Sequence, residues 1–200
     1  MTLPTEVSNA VTAARATLSN PDGALPLPLR IAIWRAMGDV GVTLPSGELT
    51  PGHRRRAELA IRVVRHGLGE WEAFWTTREP HDLLAVAEAY LGGYATPREV
   101  WTAQNRLTLS RDPMETDDLV RTSLIAEAAR DAAVVAGYDM FLDELSLEDD
   151  DLDPDAWDAS FFVSCVFAAG PPWLAESDPA ARRAFWTWYL DVAVPAAYPD

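Results

Sequence analysis

The sequence predicts an all-α protein, a compact bundle of about eight or nine helices that forms a single domain over residues 1–200. Apolar residues recur at steps of three and four through most of the chain, and the sustained alternation of a half-buried strand is missing. Helix start and stop signals flank the periodic segments. A chain of this length buries enough surface to fold without disulfides or a metal.

The helical period is clear wherever apolar residues are frequent. Ala57, Ile61, Val64 and Leu68, for example, fall on one face of a helix. This spacing predicts helices over residues 4–18, 28–38, 54–67, 70–77, 80–91, 97–109, 117–137, 155–168 and 179–193.

Several helix boundaries carry a recognisable signature. Thr96, Pro97 and Glu99 form the pattern of an N-cap, a proline in the first turn and a capping-box glutamate. Residues 177–180 predict the start of the last helix in the same way. Residues 51–52, a Pro-Gly pair, indicate a loop.

The negative charge is concentrated in one segment. The chain has 31 acidic residues and 16 basic ones, all arginine, for a net charge of −15. Residues 112–158 hold 16 of the acids but only Arg121 and Arg130, a net charge of −14. This balance disfavours nucleic acid and anionic membrane as direct partners and favours a basic protein.

The peak of this acidity, residues 142–155, is the candidate partner-binding surface. Clustered carboxylates would attract a basic protein and accelerate the encounter. A solvated loop between two helices is the alternative interpretation. The candidate residues are Asp143, Glu144, Glu148, Asp149, Asp150, Asp151, Asp153 and Asp155.

A calcium loop is a second alternative for this segment, because acidic residues alternate from Asp151 to Asp155. Such a loop needs glycine at its sixth position and glutamate at its twelfth. Counted from Asp151, those positions hold Ala156 and Phe162. The sequence therefore predicts no metal there.

Recognisable catalytic motifs are missing from the sequence. His53, His66 and His81 have no known metal-binding spacing, and there is no nucleophile elbow, phosphate loop or dinucleotide fingerprint. Cys165 lies in an apolar run, where cysteine is usually a small buried hydrophobe. We therefore expect a protein that is not an enzyme and has no cofactor.

The sequence also predicts a cytoplasmic protein. Its single cysteine fits a reducing compartment. The first residues lack the basic start and apolar run of a secretory signal. No apolar run reaches the roughly 18 residues of a membrane span.

A cluster of cations, His53 followed by Arg54, Arg55 and Arg56, stands at the predicted start of a helix. The helix dipole disfavours cations at that end. A solvated helix start or a phosphate site would be alternatives, but we expect the cluster to pair with the acidic segment across the fold.

Tryptophan is unusually frequent, and four of the eight tryptophans lie in the last 44 residues: Trp157, Trp173, Trp186 and Trp188. The densest run is residues 182–196, where Phe185, Trp188, Tyr189 and Val192 would share one face of a helix, and a helix apolar over so much of its circumference is either buried or covers a partner. Burial in the core is the common case. An exposed tryptophan here would instead indicate an interface anchor.

The closing pattern Ser-Asp-Pro-x-x-Arg-Arg-x-Phe-Trp-x-Trp-Tyr-Leu-x-x-Ala-Val-Pro-x-Ala at residues 177–197 resembles the C-terminal motif of the Imm5-type immunity proteins of bacterial polymorphic toxin systems. Residues 57–60, Trp71 and the pattern Pro-x-x-x-Leu-x-x-Ala-x-x-Tyr-Leu at 80–91 are similar to a second part of that family's pattern. The resemblance covers about two-thirds of the chain.

The resemblance implies an all-helical cytosolic protein that binds and neutralises a cognate toxin and carries no catalytic residues. Together with the acidic segment, it predicts an inhibitor of a basic toxin domain such as a nuclease. A small helical ligand-binding domain or enzyme with a tryptophan-lined pocket is the alternative, and a scaffold or regulator is a third. An apolar cavity with convergent polar groups would favour the second hypothesis.

Overall fold

The computed structural model describes residues 3–40, 48–109, 117–139 and 146–198, without the side chains of 108–109 and 117–121. Those residues form a compact bundle of α-helices and contain no strand, which confirms the predicted all-α class. The helices are α1 (Thr5–Thr17), α2 (Leu27–Ala36), α3 (Pro51–Glu72), α4 (Glu79–Leu91), α5 (Pro97–Leu109), α6 (Asp117–Tyr138), α7 (Ala159–Phe167) and α8 (Pro179–Trp188).

Short elements complete the described chain. Two 3₁₀ turns, Asp149–Asp151 and Pro154–Ala156, precede α7. Helix α8 continues as the π-helix Tyr189–Ala193 and a last turn, Val194–Ala196. No helix among the described residues is long and apolar enough to cross a membrane.

Helix α6 is the centre of the bundle and packs against α3, α4, α5 and α7. Small residues make this possible, because their side chains let neighbouring helix axes approach. Fully buried alanines line the helix: Ala126, Ala128, Ala129, Ala132, Ala133 and Ala136.

Gly67 of α3 likewise lets the axes of α3 and α6 approach closely. A Cβ atom there would lie 2.7 Å from Cδ1 of Ile125 on α6 and 3.1 Å from Cγ1 of Val163 on α7. The lack of a side chain at Gly67 therefore sets how closely the three helices pack.

Helix α3 joins the predicted helix 54–67 to the start of the predicted helix 70–77 and ends at Glu72, so both the predicted break and the predicted helix over 73–77 are wrong. A glycine inside a helix costs only about 1 kcal/mol, which the packing of Gly67 against α6 and α7 outweighs. The predicted loop at 51–52 is the first turn of α3, because Thr50 caps the helix by accepting a hydrogen bond from the backbone N–H of His53 at 3.1 Å.

Other boundaries follow their capping residues. The predicted capping box is confirmed, since the Glu99 carboxylate accepts from the backbone N–H of Thr96 at 2.7 Å. Helix α7 begins at Ala159, four residues later than predicted, because Asp158 caps it through the N–H groups of Ser160 and Phe161. Asp178 caps α8 in the same way.

Candidate functional site

A buried arginine joins the N-terminal helices to the acidic segment. Arg30 of α2 is fully buried, and its guanidinium donates to Oδ2 of Asp149 at 2.9 Å and to Oδ2 of Asp158 at 3.0 Å. Burial alone would lower the pKa of Arg30, but the two carboxylates raise it further than burial lowers it. Arg30 also donates to the carbonyl of Leu25 at 2.7 Å, which fixes the loop between α1 and α2.

A second buried arginine fixes the other side of that loop. Arg182 of α8 donates to the carbonyl of Asp22 at 2.8 Å and to the carbonyl of Gly170 at 2.7 Å. The loop before α2 and the loop after α7 are therefore tied to the same interior side chain.

These connections shape a surface cleft of about 310 Å³, which we call the acidic cleft. Its walls come from three parts of the chain: the α1–α2 loop, the turn before α7 and the loop after α7. Its lining consists of Asp22, Ala24, Pro26, Glu148, Asp149, Asp150, Pro172 and Trp173. Four of these described residues are acidic and none is basic.

Trp173 forms the aromatic edge of the acidic cleft. Half of its surface is exposed (50%), which is unusual for so large an apolar side chain. Its ring lies edge-on to Trp157, with centroids 5.7 Å apart, and stacks on Phe161 at 5.9 Å. Trp157 is anchored in turn by donating to the carbonyl of Asp149 at 3.0 Å. The exposed indole is thus held by the core.

The structure separates the predicted binding residues into three groups. Asp149 is buried and its carboxylate is engaged with Arg30, which gives it a structural role; its contact with a partner stays a prediction. Asp143 and Glu144 lie outside the described residues. The exposed ones are Glu148, Asp150, Asp151, Asp153 and Asp155.

Two of the exposed carboxylates also cap short turns. Oδ2 of Asp151 accepts from the N–H of Glu148 at 3.1 Å, and Oδ1 of Asp153 accepts from the N–H of Asp155 at 3.1 Å. Glu148 and Asp150 line the acidic cleft. Partial burial and the neighbouring Asp149 raise the pKa of Glu148, while Arg30 opposes this shift.

Two members of the basic cluster at the start of α3, His53 and Arg56, contact the end of α6, whereas Arg54 and Arg55 donate to the carbonyls of Leu91 and Met37. Arg56 donates from Nε and Nη2 to the two carboxylate oxygens of Asp139, each at 2.7 Å. Nε2 of His53 lies 2.9 Å from the carbonyl of Val135 and 2.8 Å from that of Ala136. The Arg56 cation, which is unfavourable at the start of its own helix, is thus neutralised by a carboxylate directly after α6.

A smaller cavity in the interior also bears on the alternative of a ligand-binding domain or enzyme. A cavity of about 30 Å³ lies between Trp34, Arg56, Asp131 and Ser160. Each buried water needs roughly 10–15 Å³ on this measure, so the cavity suits about two waters. No group of metal-binding side chains occurs in the described part of the chain. Burial raises the pKa of the Cys165 thiol to about 12, which disfavours a reactive thiolate.

The residues of the closing motif are structural. Trp186 and Tyr189 are buried, and the hydroxyl of Tyr189 accepts from the indole N–H of Trp34 at 3.0 Å. Asp178 and Arg182 cap a helix and tie two loops. None of the four lines the acidic cleft.

Sequence reasoning missed Asp22 and Pro172 as cleft residues and Arg30 and Arg182 as its supports. The sequence around these residues shows no pattern that indicates a cleft, because the cleft forms only where three distant segments meet. Trp173 is one of the four tryptophans in the last 44 residues, and its exposure is evident only in the structure.

The fold and the cleft define an all-helical protein with an acidic, aromatic-edged surface site. The sequence model of the family described as Immunity protein Imm5 matches residues 12–196. The chain belongs to the Imm5 immunity protein family. A search of curated proteins gave no match.

Proposed function

We propose that this protein neutralises a cognate toxin by binding a basic surface of the toxin with the acidic cleft and the exposed acids up to Asp155. Membership in the Imm5 family supports the immunity role. The observation that carries the binding surface is the acidic cleft itself, which combines exposed carboxylates with a half-exposed tryptophan. The protein acts by binding, not by catalysis, and does so in the cytoplasm.

The charge of the cleft suggests how inhibition works. Enzymes that grip nucleic acid use cationic surfaces, and an acidic wall competes for those cations. Opposite charges across the interface also accelerate association. A nuclease domain is therefore the toxin class that fits best.

The partner is sought first in the neighbouring reading frame. We expect that frame to encode a large secreted protein with a variable C-terminal domain, and we expect that domain to co-purify with this chain. Failure of the two to associate in a pull-down at low salt would contradict the immunity role.

The binding surface is tested with two double variants that remove the same charge. Glu148→Gln with Asp150→Asn changes the acidic cleft, whereas Glu6→Gln with Asp82→Asn changes exposed acids on α1 and α4. We expect the cleft variant to bind the toxin domain at least about tenfold more weakly and with a smaller salt dependence. The control should bind within about twofold of the wild type. Equal affinities for the two variants would show that the toxin binds elsewhere.

A further inference from the structure

We propose that the acidic cleft is a subsite for one arginine side chain of the partner, with the guanidinium stacked on Trp173 and paired with Glu148 and Asp150. The identification of that partner as a toxin rests on the function proposed above. The chemistry of the subsite is independent of it and can be tested alone.

The size of the cleft favours a single side chain. Its volume of about 310 Å³ is at the lower end of the range for ligand pockets, roughly 300–1,000 Å³. A helix or a strand would need a longer groove. One long side chain from a protruding loop fits this volume.

The cleft combines the two features that a guanidinium recognises. Trp173 offers an exposed indole, the best aromatic partner for a cation. Asp22 on one wall and Glu148 and Asp150 on another are carboxylates. Arginine stacks on aromatic faces and pairs with carboxylates through a planar fork, whereas lysine is a compact, strongly hydrated point charge.

Next to the cleft, Arg30 already binds in this way, between aromatic rings and carboxylates. The guanidinium carbon of Arg30 lies 5.2 Å from the ring centre of Phe161 and 5.5 Å from that of Trp186. The same guanidinium pairs with two carboxylates. Phe161 also stacks on Trp173. The cleft thus presents at the surface the same kinds of group, aromatic rings and carboxylates, that surround Arg30 in the interior.

The cleft is also held in shape before any partner binds. Arg30 fixes Leu25 and Asp149, while Arg182 fixes Asp22 and Gly170. Little loop ordering is therefore left for binding, which lowers its entropic cost.

The test titrates the full chain at low salt with the capped tripeptide Gly-Arg-Gly and with its lysine and citrulline analogues. NMR follows the indole N–H signals, and Trp173→Phe assigns the Trp173 signal. We expect a saturable shift of the Trp173 signal with the arginine peptide. We expect at least about threefold weaker binding of the lysine peptide and no binding of the citrulline peptide.

Matched variants locate the site. Trp173→Leu and the pair Glu148→Gln with Asp150→Asn should each weaken arginine-peptide binding about three- to tenfold. Trp101→Leu, which removes another half-exposed tryptophan (54%), should leave it unchanged. Thermal melts check that each variant is folded. If Trp173→Leu does not fold, Trp173→Phe replaces it, because phenylalanine keeps an aromatic ring at this position.

Three results would overturn the subsite. Equal affinity for arginine and lysine peptides would show attraction by charge alone, and no shift at Trp173 would show that the cleft does not take the side chain. A dimer of this chain that Trp173→Leu dissociates would identify a second copy as the occupant.

The two proposals fail in different ways. If the Glu148 and Asp150 double variant loses toxin binding but the wild type shows no preference for the arginine peptide, only the subsite is overturned. If the wild type prefers the arginine peptide but the cleft variants bind the toxin as well as the wild type does, the cleft is not the toxin-binding surface.

Discussion

Arg30 and Asp149 are hydrogen-bonded at 2.9 Å in the interior, although 119 positions separate them in the chain. This contact places the start of the acidic 3₁₀ turn beside α2. It leaves Glu148 and Asp150, on either side of Asp149, exposed at the cleft. A charge-dense stretch of sequence is thereby fixed to the core at one carboxylate and presented to solvent by its neighbours.

Replacing Arg30 should strongly destabilise the protein. Arg30→Met leaves Asp149 and Asp158 without their shared cation, and breaking a buried pair by removing one partner costs about 3–5 kcal/mol. Urea unfolding followed by circular dichroism measures this loss. Arg15→Gln, which removes the exposed pair with Asp191, should cost less than about 1 kcal/mol. Similar losses for both variants would mean that the Arg30 network contributes little.

Asp149 and Asp150 are adjacent but should respond differently to the same substitution. Asp149→Asn weakens the buried contact with Arg30 and should lower the free energy of unfolding by about 2–3 kcal/mol. Asp150→Asn alters an exposed side chain and should change it by less than about 0.5 kcal/mol. Denaturant unfolding of the two single variants measures the free energy of unfolding of each. An Asp149→Asn protein as stable as the wild type would refute the structural role of this carboxylate.

Two nearby glycines of α3 provide a matched test of packing. Gly67→Ala places a Cβ against Ile125 and Val163, and such overpacking should make the protein about 1 kcal/mol less stable. Gly69 has no atom within 4 Å of its would-be Cβ. Gly69→Ala should therefore stabilise the helix by about 0.5–1 kcal/mol. Thermal and denaturant unfolding should show opposite signs for the two variants, and equal signs would argue against close packing at Gly67.

Asp131 should make stability depend on pH near neutrality. Burial, and then the neighbouring Asp158, raise the pKa of Asp131 to about 7, although its carboxylate accepts from the N–H of Ala159 at 2.8 Å. Between an unfolded pKa of roughly 4 and this folded value, the native state binds the extra proton. The free energy of unfolding therefore falls as pH rises through that window.

Asp131→Asn removes this titration and keeps an oxygen that can accept from Ala159. We expect the variant to gain stability relative to the wild type as pH rises from 5 to 8. The change is at most about 1.4 kcal/mol for each pH unit inside the window. Urea unfolding at several pH values measures the difference, and a difference that does not change with pH would contradict the raised pKa.

The sequence was sufficient for the fold class and most helix boundaries, because these depend on local signals. The capping box at Thr96 and the cap before α8 depend on residues within four positions of one another. The break predicted near Gly67 was wrong because close packing against α6 and α7, a long-range effect, decided the conformation there.

The candidate site was only partly predictable, for the same reason. The acidic stretch was evident, and of its six predicted residues that the structure describes, five are exposed. The burial of Asp149, by contrast, depends on Arg30, which no local pattern indicates. The cleft also needs Asp22 and Trp173, which lie 151 positions apart and meet only in the fold.

The closing motif and the acidic cleft occupy separate parts of the structure. Asp178 and Arg182 cap a helix and tie loops, whereas Glu148 and Asp150 belong to the turn before α7 and line the cleft. On the binding mode proposed above, changing Glu148 or Asp150 would therefore alter the choice of partner while leaving the contacts that hold the helical framework in place.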